Sequence, residues 1–146
     1  MKKRLENSVF LDGDWCWDAH PFWVTEETKT MVLDNICHTL NNFLHCSAYD
    51  HVIFCWVMHE QAIIDNILAN LDVKGCVVHS VSLTCTPAAL TQRLRQDVEN
   101  GLRTADVIAR SVERLPLYDL LDTQKIDVSK LSPAEAAEMI LKSTPK

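Results

Sequence analysis

Glycine is scarce in this sequence: the 146 residues contain three, Gly13, Gly75 and Gly101, and none of them precedes a lysine. A loop of the form G-x-x-x-x-G-K-[ST], which cradles phosphate with its backbone amides, is therefore absent. The sequence also has no internal repeat and no low-complexity tract. We expect one domain over residues 1–146, because a chain of this length buries roughly two-thirds of its unfolded surface around a single core.

Long apolar runs and an excess of positive charge are missing as well. No run approaches the roughly 18 to 20 apolar residues that cross a bilayer. The basic start at residues 1–4 is followed by Leu-Glu-Asn rather than by the apolar part of a secretory signal. The net charge of -6 opposes a phosphate backbone or an anionic membrane. We therefore expect a cytoplasmic protein that binds neither membrane nor nucleic acid.

What the chain does contain is an ordinary globular mixture, with 47% hydrophobic and 23% charged residues. That balance excludes a disordered protein. The six cysteines lie inside apolar stretches such as residues 52–57, which predicts buried, free thiols that behave as small hydrophobic side chains rather than a disulfide framework.

Short apolar runs predict the strands. Residues 8–11 form such a run and end in Asp12-Gly13-Asp14, and residues 52–57, 76–85 and 124–128 supply three more. Runs that are apolar at successive positions are typical of strands covered on both faces, as in a parallel sheet.

Helical periods lie between these strands, and two helix starts are clear. Thr86 precedes a proline, and Ser132 is followed three residues later by Glu135, the spacing of a capping box. Thr25, which precedes two glutamates, is a candidate cap for a third helix. Strands that alternate with helices predict βαβ units, so we expect an α/β fold with a mostly parallel sheet and helices on both faces.

The order of these elements resembles the P-loop kinases of small metabolites. The residues that carry the resemblance are Phe-Leu-Asp-Gly-Asp at 10–14, an arginine-bearing helical stretch, and Ile-Asp-Val-Ser at 126–129. Shikimate kinase, gluconate kinase, chloramphenicol phosphotransferase and nucleotide-kinase-like ATPases are examples. The resemblance implies a three-layer αβα fold of the P-loop NTPase type, ATP and Mg²⁺ as cofactors, and phosphoryl transfer to a small-molecule acceptor that the sequence does not identify.

In that family the first strand leads into the phosphate-binding loop, which this sequence does not contain. Residues 1–7 look like the end of the helix that follows the loop, so the resemblance implies an N-terminally truncated form whose phosphoryl transfer is impaired. The missing strand would lie in the middle of the sheet, between the strands that contain Phe54 and Leu83. The alternative is a catalytically inactive remnant that binds a ligand or partner, or a homodimer that covers its exposed strands.

Asp12 and Asp14 follow a predicted strand, where both carboxylates can reach the ligand crevice at the carboxyl end of a parallel sheet. The resemblance implies that Asp12 joins the metal shell and that Asp14 binds the acceptor or removes its proton. A solvated turn is the alternative for this pair.

Aromatic residues crowd the segment after this loop. Trp15, Trp17 and Trp23 are interleaved with His20 and Phe22. Rings beside two carboxylates predict the wall of a pocket for a ring-bearing or partly apolar acceptor, with Trp15, Trp17 and His20 as its binding residues. A small satellite core under a long loop is the alternative.

Arginines mark the second half of the chain. By resemblance, residues from about 100 to 118 form a lid-like helical segment in which Arg103 closes over the nucleotide, Arg110 reaches the transferring phosphate and Arg114 serves the acceptor side. Interleaved acidic residues leave a salt-bridged, solvated helix as the alternative.

The same resemblance implies an adenine site. Arg93 would stack near the base, and the segment with Ser129 and Lys130 would border it.

Overall fold

A computed structural model describes residues 1–144 and has an α/β architecture in which all strand pairs are parallel. The predicted α/β class with parallel strands is therefore confirmed. The chain divides into two compact units: residues 1–58 with 62–77 form the first, and residues 59–61 with the chain from Val78 onward form the second.

The first unit packs helices against a pair of strands. Its core consists of apolar side chains from both: Leu11, Val32, Ile36, Cys37, Leu40 and Ile67. The elements are a 3-10 turn Lys2–Arg4, strand β1 Ser8–Asp12, a 3-10 turn Gly13–Cys16, helix α1 Glu26–Leu44, strand β2 His51–Cys55 and helix α2, which begins at Gln61 and ends at Ala69.

Both ends of α1 are fixed by polar side chains. Thr25 and Thr28 form a reciprocal capping box at its start, which confirms Thr25 as the N-cap. At the other end His45 Nε2 lies 3.0 Å from Asp72 Oδ2, and the hydrogen bond to His45 is the main cause that lowers the pKa of Asp72. These contacts hold the helix that forms one wall of the unit's core.

The second unit has a smaller core around Ile126, Val128 and Ala136. Its elements are strand β3 Val81–Thr84, helix α3 Pro87–Glu99, helix α4 Asp106–Arg114, a 3-10 helix Leu115–Leu120, strand β4 Gln124–Asp127 and helix α5 Pro133–Ser143. Strand β4 lies where the sequence predicts it. The predicted lid-like stretch of about 100–118 contains α4 and part of the 3-10 helix, while residues 100–105 form a turn.

The strand predicted over residues 76–85 is shorter than expected. A turn at Gly75, which has a φ of 79°, lets the Cys76 amide donate to the Val73 carbonyl at 2.9 Å. Val77 and Val78 beyond it are exposed. The apolar composition of this segment therefore does not mark a strand until Val81, and within that strand Leu83 is exposed.

Helix boundaries in this unit follow the capping signals. Thr86 caps α3 and Ser132 caps α5, each accepting from a backbone amide three residues on, as predicted. Helix α3 ends at Glu99, and Gly101 two residues beyond it has a φ of 71°, which permits the left-handed turn. There the amides of Gly101 and Leu102 donate to Val98 and Asp97 carbonyls, as in a Schellman motif.

The strands form two separate parallel pairs. Strand β1 pairs with β2 from Ser8 opposite His51 to Asp12 opposite Cys55. Strand β3 pairs with β4 from Val81 opposite Gln124 to Thr84 opposite Asp127. The strands that contain Phe54 and Leu83 thus each have one hydrogen-bonded neighbour among the described residues.

All six cysteines are free, but their burial differs from the prediction. Cys37 is buried and Cys16 and Cys85 are half-buried, whereas Cys46, Cys55 and Cys76 are exposed. The prediction of buried thiols is wrong for these last three, because they lie at the end of a strand or in the turns that follow α1 and Gly75. Within residues 1–144, no helix combines the length and apolar character that a bilayer crossing requires.

Candidate active site

The Asp12-Gly13-Asp14 segment begins at the carboxyl end of β1. Asp12 Oδ1 accepts a hydrogen bond from the Asp14 amide at 3.1 Å, which folds the segment into a 3-10 turn. Helix α1 supports this turn, since the Asn35 side-chain amide donates to the Cys16 carbonyl at 3.1 Å. Asp12 is half-buried and Asp14 is exposed, so both carboxylates are available at the edge of the sheet where parallel strands place ligands.

Trp56 lies beside this turn. It follows β2 directly, and its indole Nε1–H donates to Asp14 Oδ1 at 3.0 Å. A Cβ atom at Gly13 would lie 2.4 Å from Trp56 Cγ, closer than real atoms approach, so the ring rests on backbone that only glycine leaves uncovered. Trp56 is not among the candidate site residues that the sequence pattern predicts.

A signal for Trp56 exists in the sequence. It lies near the end of the second apolar run, residues 52–57, while Gly13 follows the first run, and the parallel register of Asp12 opposite Cys55 brings the two positions together. Residues that follow neighbouring parallel strands meet at one edge of the sheet, so the strand order alone would have placed Trp56 near Asp14.

Two thiols flank the carboxylates. Burial, followed by the negative charge of Asp12, raises the pKa of the Cys16 thiol. Although part of Cys55 is exposed, partial desolvation of its thiol, followed by the charges of Asp12 and Asp14, raises its pKa as well. Both thiols therefore stay protonated at neutral pH, which argues against a cysteine nucleophile at this edge.

The predicted aromatic wall divides into packed and exposed rings. Trp17 packs against the core and stacks on Phe22, with ring centroids 4.3 Å apart. Trp15 meets Phe10 edge to face at 5.5 Å, yet it is 67% exposed. Trp23 is 68% exposed and His20 is exposed. Trp17 thus serves the core, as the satellite-core alternative expects, while Trp15 remains open to a ligand.

Arg93 makes contacts within the second unit that its predicted role did not include. Its Nη2 lies 2.5 Å from the Val128 carbonyl and 3.1 Å from that of Leu131, with a longer contact to Ser129. The guanidinium therefore fastens the loop after β4, the same loop that was predicted to border adenine.

Ser129 shapes this loop from inside. Its amide and hydroxyl both donate to Asp127 Oδ1, at 2.8 and 2.6 Å, and its hydroxyl accepts from the Thr86 amide at 2.9 Å. The hydroxyl bond, then the amide bond, lowers the pKa of Asp127. Lys130 is exposed next to it.

Arg103 and Arg110 line the same shallow depression of about 360 Å³, together with Leu102 and Thr104. Both arginines are engaged in ion pairs: Arg103 with Asp97 at 3.3 Å and Arg110 with Asp106 at 3.4 Å. Hydrogen bonding from Thr104, ahead of the charge of Arg110, lowers the pKa of Asp106. Exposed pairs of this kind contribute little stability and exchange readily with an anion. Arg114 ends α4 and is half-buried.

The donor set for a divalent cation is limited to carboxylate oxygens. Within residues 1–144, no three His, Cys, Asp or Glu side chains lie close enough together to hold a metal ion. Mg²⁺ usually takes only one or two carboxylates and completes its shell with water and phosphate oxygens. The Asp12 carboxylate fits that requirement.

These features define the class: an α/β protein with polar residues at the carboxyl ends of parallel strands, an arrangement consistent with a P-loop NTPase-like fold. The particular similarity is to the structure of a tunicamycin resistance protein from Deinococcus radiodurans. It has a TM-score of 0.63 and 16% sequence identity, over 94% of this chain and 82% of that one. No protein-family model matches the sequence, and no curated protein matches it. The similarity therefore shows the fold.

Proposed function

We propose that this chain carries the acceptor-binding and lid parts of a P-loop kinase-like protein that transfers phosphate from ATP to a small molecule. The observation that carries the proposal is the placement of Asp12 and Asp14 at the carboxyl end of β1, with Trp56 from the end of β2 bonded to Asp14. An exposed carboxylate with a fixed orientation at this edge is what a general base for an acceptor hydroxyl requires.

The first unit would serve the acceptor. Asp14 would take the proton of the acceptor hydroxyl. Asp12 would hold Mg²⁺, which would supply charge neutralisation for the phosphates. Trp15 and His20 would form the wall against which the acceptor packs, with Trp17 behind them against the unit's core. The neighbouring structure is a tunicamycin resistance protein, and a partly apolar, ring-bearing acceptor fits the exposed indole of Trp15.

The second unit would serve the nucleotide. Arg103 and Arg110 share one depression and can exchange their carboxylate partners for phosphate oxygens, which guanidinium groups bind in a bidentate manner. Arg110 would reach the transferring phosphate, and Arg114 would contact the acceptor. Arg93 would hold the loop in which Ser129 and Lys130 border the adenine.

The donor phosphates need a further group. In phosphoryl transfer the amide cradle and lysine of G-x-x-x-x-G-K-[ST] position and neutralise the phosphates, and these 146 residues contain no such motif. We therefore expect the chain alone to bind MgATP poorly and to transfer phosphate poorly or not at all.

A test of the lid assignment uses inorganic tripolyphosphate as the probe. We expect the side-chain Nε–H resonances of Arg103 and Arg110 to move during an NMR titration, while that of Arg95, which is exposed on α3, stays in place. Arg110→Ala should weaken binding about tenfold, the effect of losing one charge-assisted contact. Equal movement of all arginines, or movement of none, would contradict the lid assignment.

One observation favours a second function: several large apolar side chains between Trp15 and Met31 are exposed. They are Trp15, Phe22, Trp23, Val24 and Met31. Clustered exposed apolar groups mark interaction sites, which suits a catalytically inactive module that binds a ligand or partner. This alternative would be favoured if tripolyphosphate did not move the arginine Nε–H resonances and if sedimentation showed a concentration-dependent dimer.

A further inference from the structure

The contact between Trp56 and Asp14 joins the residues that follow two neighbouring strands. The indole has a single hydrogen-bond donor, and here that donor is used on Asp14 Oδ1 at 3.0 Å. Because Asp14 is exposed, water could satisfy its carboxylate equally well. The bond therefore fixes the orientation of the carboxylate rather than rescuing a buried charge.

The position of the Trp56 ring is itself set by the backbone. A Cβ atom on Gly13 would lie 2.4 Å from Trp56 Cγ, 2.5 Å from Cδ1 and 2.9 Å from its Cβ. The ring thus rests on the bare backbone between the two aspartates, and it also packs against the first unit's core. Because the indole is held between the Gly13 backbone and the core, its N–H points in one fixed direction.

This arrangement leaves the two oxygens of Asp14 unequal. Oδ1 accepts the indole N–H, whereas no residue of the described chain donates a hydrogen bond to Oδ2. A carboxylate whose rotamer is already fixed loses less conformational entropy when it meets a ligand than one that rotates freely. Fixed in this way, Oδ2 is the oxygen available to a ligand.

We propose that Trp56 is a positioning residue for the Asp14 carboxylate. It holds this carboxylate through Oδ1 so that Oδ2 is presented to the hydroxyl of the acceptor. The role of Oδ2 rests on the phosphotransferase function proposed above. The positioning itself is a property of the free protein, so the two can be tested separately.

The decisive variant is Trp56→Phe, which keeps a ring over Gly13 and removes the N–H. NMR couplings from Asp14 Cγ to its backbone nitrogen and carbonyl carbon report the rotamer of the side chain. We expect one rotamer in the wild type and averaged couplings in Trp56→Phe. The matched control is Trp23→Phe, which removes an exposed indole from the same unit and should leave the Asp14 couplings unchanged.

A second measurement does not depend on the folding of Trp56→Phe. Asp14→Asn keeps the shape of the side chain but removes its charge, so the Trp56 indole N–H resonance should shift, whereas Asp12→Asn should shift it less. The proposal would be overturned if a folded Trp56→Phe variant still showed Asp14 couplings of a single rotamer. It would also be overturned if the Trp56 indole N–H resonance did not shift in Asp14→Asn. Neither readout involves nucleotide or phosphate, so failure of phosphate binding leaves them unaffected.

Discussion

The guanidinium of Arg93 contacts the carbonyl oxygens of Val128, Ser129 and Leu131. These carbonyl groups lie beyond the last residue of β4, Asp127, and one planar donor group can bond to several of them at once. The residue therefore organises the loop whatever it binds, and stacking on adenine would have to use the face of the same guanidinium.

We predict that Arg93→Ala lowers the free energy of unfolding by about 1 kcal/mol, the net value of a hydrogen bond made by a charged but exposed group. Arg93→Lys should recover part of the loss, since one ammonium can reach some of these carbonyls. Arg95→Ala is the matched control on the same helix and should change the unfolding free energy by less than about 0.5 kcal/mol. Urea unfolding of the three variants checks the prediction, and equal losses in Arg93→Ala and Arg95→Ala would contradict it.

Residue-level prediction succeeded where the chemistry is local. Thr25, Thr86 and Ser132 cap helices as their sequence context indicates. It failed for Trp56, because the contact with Asp14 depends on which strands are neighbours, and sequence spacing does not show that. The site roles given to Arg93, Arg103 and the aromatic residues remain predictions.

At the scale of elements, strands β1 and β4 end in the same way. Asp12 accepts from the Asp14 amide after β1, and Asp127 accepts from the Ser129 amide after β4. An aspartate that bonds the amide two residues on turns the chain out of the strand. Both turns therefore present polar groups at the carboxyl ends of parallel strands, which is where ligands bind in this class of fold.

The start of α5 gives a prediction about pH. Ser132 and Glu135 form a capping box, and the hydrogen bonds from Ser132 lower the pKa of Glu135. A lowered carboxyl pKa means that the stabilisation is fully present above the ordinary glutamate value and is lost as pH falls through the folded value. We expect urea unfolding between about pH 6 and about pH 3 to show this loss in the wild type and less of it in Glu135→Gln.

Ser132→Ala should cost about 1 kcal/mol at neutral pH, the usual effect of removing a serine N-cap. The matched control is Ser143→Ala at the other end of α5, where the hydroxyl donates only to the Ile140 carbonyl. A cost for Ser143→Ala as large as that for Ser132→Ala would show that the cap is not the cause.

Element types were predictable because apolar runs and capping signals are local features. The strand at residues 76–85 was predicted too long, since valines in an exposed turn have the same composition as valines in a strand. The pairing of β1 with β2 and of β3 with β4 agrees with the predicted parallel class. Pairing depends on long-range contacts, and only the resemblance to a known family gave an order for the strands.

At the scale of the whole molecule, the chain carries polar groups in two units. Asp12 and Asp14 lie at the end of β1 in the first, and Arg103 and Arg110 lie before and within α4 in the second. Strands β2 and β3 each have a single hydrogen-bonded neighbour among the described residues. The proposed roles are acceptor binding for the two aspartates and phosphate binding for the two arginines. The donor phosphates would be held by a glycine-rich loop, which this sequence does not contain.

Calorimetric titration with MgATP tests this division of roles most directly, applied to the chain as it is and to the same chain with an added apolar strand and a G-x-x-x-x-G-K-[ST] loop ahead of Met1. We predict no micromolar binding by the unaltered chain and micromolar binding by the extended one, lost again when the loop lysine is replaced by alanine. Micromolar binding by the unaltered chain would contradict the account, and so would a folded extended chain that does not bind.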